Sequence, residues 1–159
     1  MVPAPAGPAG AWHRDPACSH PFMLLADDVR RLIDEANFAH LATLMPDGSP
    51  QSAPVWVGLE GDRILVATSE GSLKARNTKR DPRVAVSVTA LDNLYREAQL
   101  RGRVVERRPD ASFEVMDRIS RKYTGAPFPM RGNPEQRVVL VIEVDRARFT
   151  LLPFSTPKR

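Results

Sequence analysis

The sequence predicts a mainly β protein of the α+β class: an antiparallel β-barrel of about seven short strands with short peripheral helices. Three observations predict it. Alternating or continuously apolar runs of strand length recur from residue 38 to residue 152, and short Pro- and Gly-bearing turns punctuate them. Only three segments carry helical spacing. At 159 residues and 42% hydrophobic composition, the chain suffices for one core and one domain. Closure of the sheet is expected because it removes unpaired strand edges.

Residues 1–21 hold five of the fifteen prolines, with Gly7 and Gly10. Such a segment resists both helix and sheet and is expected to be a disordered tail, leaving 22–159 as the folded domain. Between Asp27 and Glu35, Val29, Leu32, Ile33 and Ala36 recur at helical spacing, and Asp27 or Asp28 is suited to cap the start. Phe38 to Leu44 reads as a strand apolar on both faces. Pro46-Asp47-Gly48 turns the chain, Gln51 to Leu59 alternates, Glu60-Gly61-Asp62 turns it again, and Arg63 to Thr68 follows. Two turns this short predict a three-stranded meander.

A helix is expected over Ser72–Arg80, stopped by Asp81-Pro82. Strands are expected at Val84–Ala90 and at Gln99–Glu106, where Gly102 signals a bulge or a close backbone approach. Asp110 to Lys122 reads as the third helix. Arg137 to Val144 is a nearly continuous apolar strand, and Arg148 to Leu152 a last short one.

Composition limits the function classes. No apolar run approaches the ~18–20 residues that span a bilayer, so no membrane association is expected. Met1 to Gly10 has neither a basic region nor an apolar core, so no secretory signal is expected and the default location is cytoplasmic. The lone Cys18 fits a reducing compartment. With His20 it forms at most half a metal site, and no second pair completes one. The formal charge of +4 suits a nucleic acid or a small phosphorylated ligand, but aromatic residues at 6% are too sparse for a base-stacking platform. A small anionic ligand is the better fit.

Chemistry concentrates in Thr68-Ser69-Glu70-Gly71-Ser72-Leu73-Lys74. The chain there passes from a strand end through a hydroxyl-rich turn into a helix start, where free N–H groups, hydroxyls and the Lys74 charge suit a phosphate. The same residues also suit a capped surface helix with solvated lysines. On the second strand, Ser52, Pro54, Trp56 and Gly58 share a face on which small residues beside one aromatic leave a shelf for a flat ring; Pro54 and Gly58 equally suit a sheet edge or bulge. His13 and His20 fall in the tail, and His40 in an apolar strand. No nucleophile–base set can be assembled from them. If the chain is an enzyme, a cofactor supplies the reactive atoms.

Taken in order, His40-Leu41-Ala42-Thr43-Leu44, Asp47-Gly48-Ser49-Pro50-Gln51, Pro54-Val55-Trp56, Ile64-Leu65-Val66-Ala67-Thr68, Lys74-Ala75-Arg76-Asn77 and Asp81-Pro82-Arg83-Val84-Ala85 resemble the pyridoxamine 5'-phosphate oxidase-like split barrels. Arg121-Lys122-Tyr123-Thr124-Gly125 and Arg137-Val138-Val139-Leu140 look like the branch that uses the deazaflavin coenzyme F420. The resemblance spans roughly residues 24–152. It implies an FMN-binding type of split barrel and a homodimer with cofactor sites at the subunit interface. It implies that Lys74 binds the cofactor phosphate, that Thr68, Ser69 and Asn77 belong to the same pocket, and that Gln51, Ser52, Pro54, Val55 and Trp56 lie along the ring. The resemblance further implies residues from the partner chain that close the site, with Tyr123 and Arg131 the candidates, and a product proton taken from solvent or from a hydroxyl such as Tyr123. The implied activity is F420-dependent hydride transfer to a small conjugated or heteroaromatic substrate. The alternatives are an FMN-dependent oxidoreductase and a non-enzymatic module that stores flavin, F420 or haem. Arginines that hold the substrate phosphate in the oxidase have no match here.

Overall fold

A computed structural model describes residues 23–154. The expected tail at 1–21, with His13, Cys18 and His20, lies outside the described residues. In chain order the elements are α1 (Asp27–Asp34), β1 (Ala39–Leu44), β2 (Pro50–Val55), β3 (Gly58–Glu60), β4 (Arg63–Ser69), α2 (Leu73–Arg80), β5 (Arg83–Thr89), β6 (Arg96–Pro109), α3 (Glu114–Thr124) and β7 (Arg137–Leu151). A single 3-10 turn, Pro134–Gln136, leads into β7.

All seven strands form one antiparallel sheet in the order β2-β1-β5-β6-β7-β4-β3. β2 and β3 are its two edges, yet only Trp56 and Val57 separate them in the chain. The sheet must therefore roll until its edges approach, and it stays open between them. This is a split barrel, and full closure is not reached.

The expected meander is not formed. The alternation from Gln51 to Leu59 is continuous, but the strand breaks at Trp56-Val57, so its first half pairs with β1 and its second half with β4. The expected strands Arg137–Val144 and Arg148–Leu152 are instead one strand, because β6 extends from Arg96 to Pro109 and pairs along nearly all of β7. The register shifts at Arg101/Gly102 and at Val104/Glu106. A Cβ on Gly102 would stand 2.0 Å from the Glu143 carbonyl oxygen, so the close approach expected at this glycine is present.

Inward-facing residues of the strands (Leu41, Val55, Ile64, Val66, Val86, Val88, Leu100, Leu140, Ile142) form the core with Val29, Leu32 and Ile33 of α1. Burying each such side chain contributes about 1.5–3 kcal/mol. α1 carries no side-chain cap: Ala26 is its N-cap, and Asp27 and Asp28 sit in the first turn, where the helix dipole favours acids. β1 alternates instead of being buried on both faces, with Ala39, Leu41 and Thr43 inside and His40 exposed.

A second apolar cluster lies on the opposite side of the sheet. Ile119 of α3 packs on Leu65, Val139 and Val141, flanked by Trp56, Ala67, Val115 and Tyr123. α3 starts four residues later than the spacing suggests, at Glu114, because Asp110 reaches forward to it. The two carboxylate oxygens of Asp110 accept from the Val115 and Met116 N–H groups at 3.1 and 3.0 Å. Phe113, at φ 61°, makes the left-handed step that allows this. No helix of the described residues is long and apolar enough to cross a membrane.

Candidate cofactor site

The turn from β4 into α2 is built locally. Ser72 caps α2, its hydroxyl accepting from the Ala75 N–H at 3.3 Å and from the Thr68 hydroxyl at 3.0 Å. The Ser72 N–H donates to the Ser69 carbonyl at 2.9 Å, which closes the turn. Lys74, in the first turn of α2, is half-buried, and no hydrogen bond or ion pair among the described residues engages its ammonium. Desolvation pulls its pKa below the usual lysine value. An unpaired cation withdrawn from water, on the helix whose start the Thr68–Ser72 hydroxyl pair caps, fits an anion such as a phosphate.

The one acid of this turn is held by a cation. The Glu70 carboxylate accepts from Arg107 Nη2 at 2.5 Å. Arg107 Nη1 donates to the Ala75 carbonyl at 3.0 Å and to the Thr78 hydroxyl at 3.2 Å, which fastens α2 to β6. Sequence reasoning missed Arg107. It is one of four nearby arginines, and only the pairing of β6 singles it out.

Asn77 is fully buried, and its amide nitrogen donates to the Thr43 hydroxyl at 2.9 Å. Thr43 in turn donates to Gln51 Oε1 at 3.1 Å. Asn77 thus links α2 through β1 to β2, and of the two ends of this relay Gln51 is the partly exposed one. Ser52 and Pro54 are exposed on the edge strand, whereas the Val55 side chain is turned into the core.

The shelf expected over Ser52, Pro54, Trp56 and Gly58 is divided. α3 covers its far half: Tyr123 stacks on Trp56, and a Cβ on Gly58 would meet Ile119 at 3.0 Å. Thr68 and Ser69 also separate. As consecutive residues of β4 they face opposite sides of the sheet, Ser69 continuing the row of Leu65 and Ala67 that faces α3. The Tyr123 hydroxyl is occupied, donating to the Asn37 carbonyl at 2.7 Å and accepting from the Val57 N–H at 3.2 Å; burial pushes its pKa up. Arg131 bonds Asp117 at 3.1 Å and lies over the Phe113 ring. The structure therefore gathers Gln51, Thr68, Ser72, Lys74 and Asn77 around α2, with Ser52 and Pro54 on the same edge strand as Gln51. It sets Trp56, Ser69, Tyr123 and Arg131 on the α3 side.

Across the outer face of the sheet runs a groove of about 830 Å³. Its floor follows two cross-strand rows, His40–Ser87–Gln99–Arg148 and Ser52–Ala42–Ala85–Arg101–Arg146. Among the described residues no group of three or more His, Cys, Asp or Glu side chains is placed to hold a metal ion.

A rolled, open antiparallel sheet with a hydroxyl-capped turn where β4 meets α2 defines a small split-barrel protein of the flavin-binding type. The family model for pyridoxamine 5'-phosphate oxidase matches residues 25–151, and the chain belongs to that family. Among solved structures, an F420 reductase is similar at 29% identity, with 75% of this chain and 94% of that one covered and a TM-score of 0.69. A conserved hypothetical protein of Mycobacterium tuberculosis is similar at 25% identity, covering 87% and 96%, with a TM-score of 0.66. General stress protein 26 of Bacillus anthracis shares the fold at 20% identity, covering 80% and 95%, with a TM-score of 0.61. No curated protein matches the sequence.

Proposed function

We propose that the protein is an F420-dependent oxidoreductase that passes a hydride between the deazaflavin and a small conjugated or heteroaromatic substrate. The observation that carries this reading is Lys74, a half-buried and unpaired ammonium at the start of α2 in a family of flavin-type binders. Similarity to an F420 reductase over three quarters of the chain supports the deazaflavin over FMN.

The residues fit the cofactor. Lys74 and the Ser72-capped turn would hold its phosphate, and Thr68 holds Ser72 in place from the strand. Gln51, fixed through Thr43 to Asn77, presents a side-chain amide at the edge strand on which the ring would rest, and Ser52 and Pro54 leave that edge uncrowded. Arg107 keeps the Glu70 charge away from the anion. When bound, the deazaflavin supplies hydride transfer. No protein nucleophile is required, and the Tyr123 hydroxyl is already committed to Asn37 and Val57, so the proton of the product comes from solvent. The reading includes a homodimer in which a second copy covers the edge of β2; light scattering of the purified chain tests it.

Fluorescence titration with F420, FMN and FAD tests the reading. Saturable binding of F420, weakened in Lys74→Ala, supports it; absence of F420 binding overturns it. The family model favours a second reading, an FMN-dependent oxidoreductase, for which the sign is a yellow protein that releases FMN on denaturation.

A further inference from the structure

At the first residue of β7 stands a cation that the site above does not use. Arg137 pairs with Ser69 across β4 and β7, and cross-strand partners extend their side chains to the same face. That face is the α3 side, where Val139 and Val141 continue the Arg137 row and Leu65 and Ala67 the Ser69 row. Arg137 Nε is buried without a hydrogen-bond partner. Its guanidinium lies 5.6 Å from the centre of the Phe113 ring and 5.4 Å from that of Phe128, and no carboxylate bonds it. The acid whose charge acts on it is Asp110, whose two oxygens already accept from the Val115 and Met116 N–H groups. The Ser69 hydroxyl makes no hydrogen bond among the described residues either. An orphaned guanidinium nitrogen out of water costs free energy until an acceptor reaches it.

The surroundings state what kind of acceptor. Phe128 stands edge-on to Trp56 at 6.3 Å, so an aromatic strip leads away from Arg137 along the side of the sheet that α3 covers. We propose that Arg137 and Ser69 form an anion site, distinct from the Lys74 turn, that takes the carboxylate of an aromatic or conjugated acid whose flat body rests on Phe128 and Trp56. A planar guanidinium matches a carboxylate with two parallel hydrogen bonds, which a lone ammonium cannot do. The inference deepens the proposed function by naming its substrate class, and it rests on that reading only for the role of substrate; the site itself is open to test without cofactor.

The experiment titrates the cofactor-free full chain with 2-naphthoate and with neutral 2-naphthamide, followed by quenching of tryptophan fluorescence. The expected result is saturable naphthoate binding at least roughly tenfold tighter than the amide, a preference lost in Arg137→Gln and partly kept in Arg137→Lys. F420 affinity in Arg137→Gln is expected to equal that of the unaltered chain. Equal binding of acid and amide by the unaltered chain overturns the proposal whatever the variants do. So does unchanged acid binding in a cooperatively melting Arg137→Gln protein, or a loss of F420 affinity there as large as in Lys74→Ala, which would put Arg137 in the cofactor seat. Failure of F420 to bind, with the acid preference intact, overturns the cofactor reading alone.

Discussion

The rings of Tyr123 and Trp56 stack with centroids 5.1 Å apart and planes 6° from parallel, at the point where the long alternating strand breaks in two. The Tyr123 hydroxyl bridges the Asn37 carbonyl and the Val57 N–H, and the neighbouring Lys122 ammonium donates to the Val57 and Ile33 carbonyls. Both backbone polar groups of Val57, left without a strand partner by the break, are therefore satisfied from α3. This is what lets β2 and β3 diverge to opposite edges of the sheet.

Tyr123→Phe keeps the stacking and removes the bridge. Leaving the Val57 N–H and the Asn37 carbonyl without it is expected to cost about 1–3 kcal/mol, read as a lowered melting temperature or denaturant midpoint. Once substrate turnover is measurable, its pH profile should be unchanged. A shifted profile with unchanged stability would restore Tyr123 as a proton donor.

Lys122 gives a pH dependence. Desolvation brings its pKa down to about 8, from the ordinary lysine value of 10.5. Below pH 8 the ammonium is charged in both folded and unfolded chains, and the folded state carries the full burial cost. Between pH 8 and 10.5 the unfolded chain holds more protons, so this group's contribution to stability rises with pH. Comparing melting temperatures with Lys122→Met, the unaltered protein should gain on the variant between pH 7 and 9.5. A constant or shrinking gap would show that the amine is not desolvated.

Arg107 and Glu70 make a coupled pair. Arg107→Met frees the Glu70 charge beside the Lys74 turn and unfastens α2 from β6, so F420 affinity is expected to fall roughly three- to tenfold. Adding Glu70→Gln should recover part of that loss while leaving the loss of stability in place. Independent, additive effects on affinity would separate Arg107 from the site.

What the sequence conveyed follows from which interactions are local. The helix at Leu73–Arg80, its Ser72 cap and the glycine turns are written within a few residues, and the structure has them where they are expected. The break at Trp56-Val57 is invisible locally, because alternation runs straight through it and Lys122 and Tyr123 enforce it from 65 and 66 residues away. The fusion of the last two strands was hidden for a related reason. Asp145 and Arg146 read as a polar gap, but beside β6 they line the outer groove, and only Gly102 hinted at the register shift there. In the site, Lys74, Thr68 and Ser72 were legible as one turn. Arg107 and Arg137 were not, because a strand arginine gains meaning only from the residue across the ladder.

The central claim is that the Lys74 turn seats a phosphate-bearing deazaflavin. The measurement is the dissociation constant of F420, by its own fluorescence, for the unaltered protein and for Lys74→Ala across pH 7 to 10. Loss of a charged hydrogen-bond donor predicts roughly 10- to 100-fold weaker binding in the variant, and an affinity that declines with pH only in the unaltered protein, as Lys74 loses its proton. Equal affinity in the two proteins, with matching pH profiles, would contradict it.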